Sequence, residues 1–264
     1  MLRLNRVSSR ILLSLLTFFL FFGVPGSEAG GTDGTVSLGH IESFKPFAEK
    51  DGDQSKGLAV DLIRAALKKV NRDVRFVPAH QDKIQDLVKE GKLDGVVFLA
   101  INPDRKDVYD FSIPYLISGG ALFVKAPAPA SWDLKEFEGR TVATPEKGPL
   151  AGYIKTKFPK VKVITSVKDY PETLETVLNG KADAAALNTQ SGTLLAKKRF
   201  PGKFSLPERG FLETPIGVGV LKGTHKEFLA DLNKGLEAIL ADGTYDKILK
   251  QWEVPGTTKP KPPK

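Results

Sequence analysis

The 264-residue sequence contains no cysteine and only three histidines. The lack of cysteine excludes disulfide bridges, thiolate zinc or iron–sulfur centres, cysteine nucleophiles and a lipid anchor on an N-terminal cysteine. His40, His80 and His225 are isolated in the sequence and form no HExxH or HxH pair, so no metal centre is expected. The sequence thus predicts a protein without a metal or cofactor.

Several enzyme motifs are also missing. The chain has no Walker loop, no GxGxxG loop and no GxSxG elbow, which argues against nucleotide enzymes and common hydrolases. The net charge of +8 would suit a nucleic-acid partner. However, Lys and Arg alternate with Asp and Glu along helical segments such as 226–237. We therefore expect solvated helix faces and no binding of nucleic acid.

Residues 1–29 have the pattern of a cleaved signal peptide. Arg3, Arg6 and Arg10 precede an apolar run at 11–24, and Ser27 and Ala29 are small residues that suit a signal peptidase. The run is shorter than the roughly 20 residues needed to cross a bilayer, which favours export over the alternative of a retained membrane anchor. We expect a soluble protein in the periplasm of a Gram-negative cell.

Hydrophobic periodicity predicts two α/β units. The first consists of strand 36–39, helix 57–70, strand 74–77, helix 82–90 and strand 95–100. The same order returns as strand 141–144, helix 150–157, strand 161–165, helix 171–179, strand 182–187 and a helix through Ala196. This alternation is typical of doubly wound parallel sheets. An apolar stretch at 216–221 and helices 226–240 and 245–253 must dock on these units, and the Pro- and Lys-rich tail 254–264 is predicted to be disordered.

One internal similarity supports a repeat. Residues 87–95 and 176–184 share Val, Gly, Lys and Asp in register, with Gly at the predicted helix end and Asp before the strand. The alternative is that any loop from helix to strand favours Gly and Asp.

Ligands of open α/β sheets bind beyond the carboxyl ends of the strands. Strand 95–100 leads there to Pro103 and Arg105, and strand 182–187 leads to Asn188 and Thr189. If the two ends face each other, they form a cleft.

Three segments carry a family resemblance: 57–63, then 93–95 with 103–115, and finally 242–252. They resemble the periplasmic solute-binding proteins of family 3, which are polar amino-acid receptors of ABC transporters. The likeness runs from about 36 to 252. It implies a two-lobed α/β periplasmic binding protein fold of type II, with 30–122 and 216–253 in lobe 1 and 125–213 in lobe 2. Two hinge crossings would let the cleft close on a ligand.

The resemblance implies roles for two side chains. Arg105 would grip the ligand carboxylate with its two-pronged guanidinium, the alternative being an ion pair with Asp104 or Asp107. Phe44 would pack on the ligand's side chain, the alternative being a core phenylalanine.

The first departure from the family pattern lies in the carboxylate site. Phe98 and Ala100 stand where relatives usually carry Gly and Thr or Ser. Gly148 is followed by Pro149 and not by the usual Thr or Ser that donates to the carboxylate.

A second departure concerns the ammonium site, where Asn188 replaces the usual acidic residue. An amide does not offset the desolvation of a buried ammonium, so a standard amino acid is a doubtful ligand. Together with Leu150, the apolar replacements favour a ligand with one anionic end and an apolar body. Glu146 and Lys147 either add polar contacts or form an exposed loop.

The sequence therefore predicts a monomeric binding protein, not an enzyme, that delivers a small carboxylate-bearing solute to an inner-membrane ABC permease. A second hypothesis is a partner or sensor protein with a degenerate cleft. A third is an enzyme similar to the exported cyclohexadienyl dehydratases, with Glu146 or Glu42 as general acid.

Overall fold

The computed structural model describes residues 35–81, 83–131, 133–146, 149–254 and 258–260. The predicted signal peptide, Lys147 and Gly148 lie outside the described residues. The described strands are β1 (Val36–Ile41), β2 (Ser43–Phe44), β3 (Ala48–Asp51), β4 (Gln54–Lys56), β5 (Val74–Ala79), β6 (Gly95–Ala100), β7 (Tyr109–Phe111), β8 (Leu116–Lys125), β9 (Thr141–Ala143), β10 (Lys162–Ile164), β11 (Ala184–Asn188), β12 (Phe204–Ser205) and β13 (Leu212–Leu221). The described α-helices are α1 (Leu58–Lys69), α2 (Ile84–Lys89), α3 (Pro103–Lys106), α4 (Pro149–Lys157), α5 (Tyr170–Leu178), α6 (Thr189–Arg199), α7 (Lys226–Ala241) and α8 (Thr244–Gln251).

One sheet runs through the whole molecule in the order β10-β9-β11-β8-β13-β6-β1-β5. Its two wings are parallel, with β1 between β5 and β6, and β9 between β10 and β11. Its centre is antiparallel: β8 pairs antiparallel with β13, and these two strands pair antiparallel with β11 and β6 of the wings, respectively. The sequence predicts parallel units, but the antiparallel centre depends on pairing between segments almost a hundred residues apart.

We call β1–β7, α1–α3, α7, α8 and the end of β13 the first half, and β9–β12, α4–α6 and the end of β8 the second half. Each half has its own buried clusters. Within the first half, α7 crosses α1 so closely that a side chain on Gly235 would overlap the Ala66 carbonyl oxygen. The last helices therefore dock on the first half.

The two long strands β8 and β13 connect the halves. They pair side by side from Leu212 opposite Gly120 to Ile216 opposite Leu116. Gly119 lies in this paired stretch, and a Cβ there would overlap the Leu212 carbonyl oxygen. Glycine in a strand often marks such a close approach of backbone to backbone.

The similar segments 87–95 and 176–184 have the same local structure. Gly91 and Gly180 end their helices with φ of 71° and 72°. The carboxylate of Asp94 accepts a 2.7 Å hydrogen bond from the Ser37 amide, and that of Asp183 accepts a 2.8 Å bond from the Thr141 amide. Each aspartate thus fastens the first strand of its half, so the shared residues mark an equivalent structural unit in both halves.

Two segments differ from the sequence predictions. A small antiparallel sheet, β2-β3-β4, fills the stretch between β1 and α1, for which the sequence predicts no element. At the chain end, where composition predicts a disordered tail, Thr258 is fully buried and Lys259 pairs with Asp246. The hydroxyl of Thr258 has a buried partner in Gln190, so its polarity does not keep it in solvent.

Candidate functional site

A cavity of about 290 Å³ opens at the carboxyl ends of β1, β5 and β6, where α4 of the second half approaches the first half. This is the position at which α/β sheets bind ligands. The described lining residues are Ile41, Phe44, Gln81, Ile84, Gln85, Val96, Phe98, Leu99, Ala100, Arg105 and Pro149. Most of them are apolar, and Arg105 is the one with a full charge.

Four sequence-predicted site residues meet in this cavity: Phe44, Phe98, Ala100 and Arg105. Phe44 and Phe98 contact each other edge to face with ring centroids 5.2 Å apart, and Phe47 packs against both. Both Phe44 and Phe98 are half-buried. One side of the Phe44 ring therefore packs on the core and another lines the cavity, and its contact with a ligand stays a prediction.

Arg105 is held at the cavity by its position on α3. Pro103 opens this short helix, and Asn102 caps it by accepting a 2.9 Å hydrogen bond from the Arg105 amide. The guanidinium donates a 3.2 Å bond to the Ala100 carbonyl oxygen. Among the described residues it has no ion pair with Asp104 or Asp107. A guanidinium with one donor engaged keeps others for an anion.

Asn188 lies at the carboxyl end of β11 but does not line the cavity. Its side-chain oxygen caps α6 by accepting bonds from the amides of Gln190 and Ser191. Its amide nitrogen donates a 2.9 Å bond to the Ser118 hydroxyl. The side chain is therefore occupied on both sides by the protein itself.

The remaining predicted residues are outside the described lining. Thr189 is buried in the first turn of α6. Glu42 and Glu146, which the dehydratase hypothesis needs, are exposed and do not line the cavity. Gly148 lies outside the described residues, so its predicted role stays a prediction.

Sequence reasoning missed several lining residues. Ile41 ends β1, Gln81 follows β5, and Gln85 lies on α2. The rule that ligands bind beyond strand ends would have pointed to the first two of these, because both follow parallel strands. Gln85 becomes visible only once α2 is placed against the sheet.

His40 lies behind the cavity, at the end of β1, and is 1% exposed. Its Nδ1 is 2.9 Å from the Ile41 carbonyl oxygen and its Nε2 is 2.6 Å from the Ser55 hydroxyl. Because a carbonyl can only accept, Nδ1 carries the proton and Ser55 donates to Nε2. Burial lowers the pKa of the imidazole below its ordinary value of 6.5. His40 thus ties β4 to the strand that leads to Phe44.

Two features are absent from the described part of the chain. None of its helices combines the length and apolarity that a membrane crossing requires. It also brings together no group of three or more His, Asp or Glu side chains suited to a metal ion.

Comparison with known proteins gives a consistent picture. The model of bacterial extracellular solute-binding proteins, family 3, matches residues 36–255. The ABC transporter arginine-binding protein 1 of Escherichia coli K12 is 27% identical over 257 residues, which cover 92% of this chain and 97% of that protein. The virulence sensor protein BvgS of Bordetella bronchiseptica is 24% identical over 82% of this chain, but only 18% of the sensor is covered.

A solved structure also aligns with the chain. It is the ancestral amino-acid-binding protein described as a precursor of cyclohexadienyl dehydratase, at 31% identity and a TM-score of 0.61. The alignment covers 83% of this chain and 95% of that one. The predicted fold class, an α/β periplasmic binding protein fold of type II, is thereby confirmed.

Proposed function

The chain belongs to family 3 of the bacterial extracellular solute-binding proteins, and on that premise we propose that it captures a small carboxylate-bearing solute for an ABC importer. The observation that carries this proposal is the cavity lined by apolar side chains and by the guanidinium of Arg105. Its volume of about 290 Å³ is at the lower end of the range for ligand pockets, roughly 300–1,000 Å³. That size suits one amino-acid-sized molecule.

Ligand chemistry follows from the lining. Arg105 offers a bidentate partner for a carboxylate, and Phe44 and Phe98 offer apolar contact for the rest of the molecule. No described lining residue is a carboxylate that could neutralise a cationic group. A ligand like that named for the arginine-binding relative would bury its charge without a partner, which is unfavourable. We therefore propose an organic acid, an aromatic carboxylate or a modified amino acid.

The transport cycle follows from the proposed lobes. In this proposal lobe 1 comprises residues 30–122 and 216–253, and lobe 2 comprises 125–213. The cavity is lined mainly by lobe 1, with Pro149 of α4 from lobe 2, so closure would trap the solute and present it to an inner-membrane permease. A cleaved signal peptide over 1–29 would export the monomer to the periplasm.

A sensor or partner role is the second candidate. The observation that favours it is Asn188, whose amide serves the helix cap and Ser118 and not a ligand ammonium. An enzymatic role has less support, because neither Glu42 nor Glu146 lines the described cavity and a general acid must reach its substrate.

The test is a thermal-shift screen on protein from Gly30 onward, refolded to remove carried-over ligand. The library pairs amino acids with matched carboxylic acids that lack the amine. A ligand at about a hundred times its Kd adds roughly 2.7 kcal/mol of stability. We expect the acids to raise the melting temperature, and Arg105→Ala to weaken binding roughly 10- to 100-fold.

The matched control is Arg75→Ala, which removes an arginine of the first half that does not line the cavity. It should bind like the parent. If Arg105→Ala binds as tightly as the parent, Arg105 does not bind the ligand. If neither the amino acids nor the carboxylic acids raise the melting temperature, the partner role is favoured.

A further inference from the structure

The first turn of α6, in the second half, contacts the first half directly. The hydroxyl of Ser191 donates a 2.6 Å hydrogen bond to the carbonyl oxygen of Lys45. Lys45 lies in the turn between β2 and β3, next to the cavity residue Phe44. This bond therefore joins the two halves beside the candidate site.

The neighbouring residue, Gln190, makes a second connection at the crossing strands. Its side chain is 2% exposed, and its oxygen accepts a 3.1 Å bond from the Ser118 hydroxyl of β8. Its amide nitrogen donates to the Ile117 carbonyl oxygen at 2.8 Å and to the Thr258 hydroxyl at 3.1 Å. All three partners are within hydrogen-bond distance, so the buried amide is well satisfied.

Thr258 belongs to a chain end that is anchored on the first half. Its neighbour Lys259 pairs with both carboxylate oxygens of Asp246 on α8, at 3.0 and 2.9 Å. The Lys259 ammonium also lies 5.6 Å from the centre of the Tyr245 ring. The Gln190–Thr258 bond thus links the halves in addition to β8, β13 and the Ser191–Lys45 bond.

From these contacts we propose that Ser191–Lys45 and Gln190–Thr258 form a clasp that holds the two halves together before any ligand arrives. Both bonds start from adjacent residues of one helical turn, so movement of α6 away from the first half strains both. Thr258 is fully buried, and loss of its partner would leave a polar group unsatisfied. The proposal rests on the proposed closure of two lobes, but its test needs no ligand.

The absence of cysteine makes a direct distance measurement possible. Two cysteines are introduced at exposed lysines, Lys89→Cys on α2 and Lys155→Cys on α4, and both are spin-labelled. Pulsed electron–electron double resonance then gives the distribution of distances between the two spin labels in refolded, ligand-free protein. The same labels are placed on a Ser191→Ala, Thr258→Val background.

We expect the unmodified clasp to give a dominant short distance and the double variant to add a longer one. The ratio of long to short populations should rise about fivefold for each bond lost. Thr258→Ser keeps the hydroxyl and should restore the parent distribution on its side of the clasp. Thermal unfolding of each variant separates a change of arrangement from a loss of folding.

An unchanged distance distribution in a folded double variant would overturn the clasp. So would a shift that Thr258→Ser reproduces, because that variant still offers the hydroxyl. A clasp that fails this test leaves the ligand screen unaffected, since the two experiments have different readouts.

Discussion

The hydroxyl of Tyr245 donates a 2.7 Å hydrogen bond to the carbonyl oxygen of Tyr115, whose own hydroxyl donates to Val97 at 2.6 Å. Both rings are fully buried, and burial raises the pKa of both phenols well above the ordinary value. The two tyrosines therefore stay protonated and act as donors. Through them, the chain end is fastened to the sheet that carries the cavity.

Loss of this donor should destabilise the fold. Tyr245→Phe leaves the Tyr115 carbonyl oxygen without that donor in the core, and we expect the free energy of unfolding to fall by about 1–2 kcal/mol. Urea denaturation measures the change. Tyr153→Phe is the control, because its ring is half-buried and its hydroxyl has no described hydrogen bond, so an effect below about 0.5 kcal/mol is expected.

Gly119 should not tolerate a side chain. In Gly119→Ala the methyl group would overlap the Leu212 carbonyl oxygen, so the paired strands β8 and β13 must move apart. We expect a loss of about 1–3 kcal/mol or more in thermal or urea unfolding. Gly152→Ala is the matched control on the exposed face of α4, where a methyl meets nothing within 4 Å. That change should be neutral or stabilise by up to about 1 kcal/mol.

His40 should make stability depend on pH. Its pKa is lowered by burial, so below about pH 6.5 the unfolded chain takes up a proton that the folded chain refuses. The free energy of unfolding therefore decreases as the pH is lowered below about 6.5, by at most about 1.4 kcal/mol per pH unit, until the lowered pKa of the folded state is reached.

The comparison is urea denaturation at pH 7.5 and pH 5 for the parent and for His40→Gln. The variant lacks this titration, so its loss between the two pH values should be smaller. Equal losses would mean that the imidazole is not responsible, because the other titrating groups are common to both proteins.

Asn188→Asp tests whether the missing negative charge at position 188 is the reason that amino acids are disfavoured as ligands. Aspartate caps helices as well as asparagine does, so α6 should keep its first turn. The change adds a negative charge at the position that, by the family resemblance, would pair with a ligand ammonium. Asn188 does not line the described cavity, so this expectation depends on the proposed lobe closure bringing position 188 to the ligand. Amino acids should then raise the melting temperature of the variant but not of the parent. A variant that folds and ignores amino acids would place position 188 outside the ligand site.

Local signals explain what could be predicted from the sequence. The apolar periodicity of α1 and the buried run of β6 depend on neighbouring residues, and both appear close to their expected bounds. The location of Arg105 and Phe98 at the cavity could be predicted, because the rule that ligands bind beyond strand ends depends only on chain order.

Distant partners explain what could not be predicted. The strand β8 contains Gly119 and Gly120, which lower its apparent β propensity, and its pairing to β13 joins residues 92 to 100 positions apart. The side chain of Asn188 binds Ser118, 70 residues earlier in the chain. The residues adjacent to Asn188 in the sequence do not determine whether its amide faces a ligand or a hydroxyl.

The pairing of the two crossing strands also constrains how the molecule can move. Two separate linkers could twist, slide and stretch independently, whereas a hydrogen-bonded ribbon from Leu116 to Gly120 and Leu212 to Ile216 resists all but bending. Motion between the halves should therefore follow one dominant coordinate, like the flexing of a leaf spring. Such a spring returns to the same geometry after each cycle, which suits the proposed presentation of one closed form to a permease.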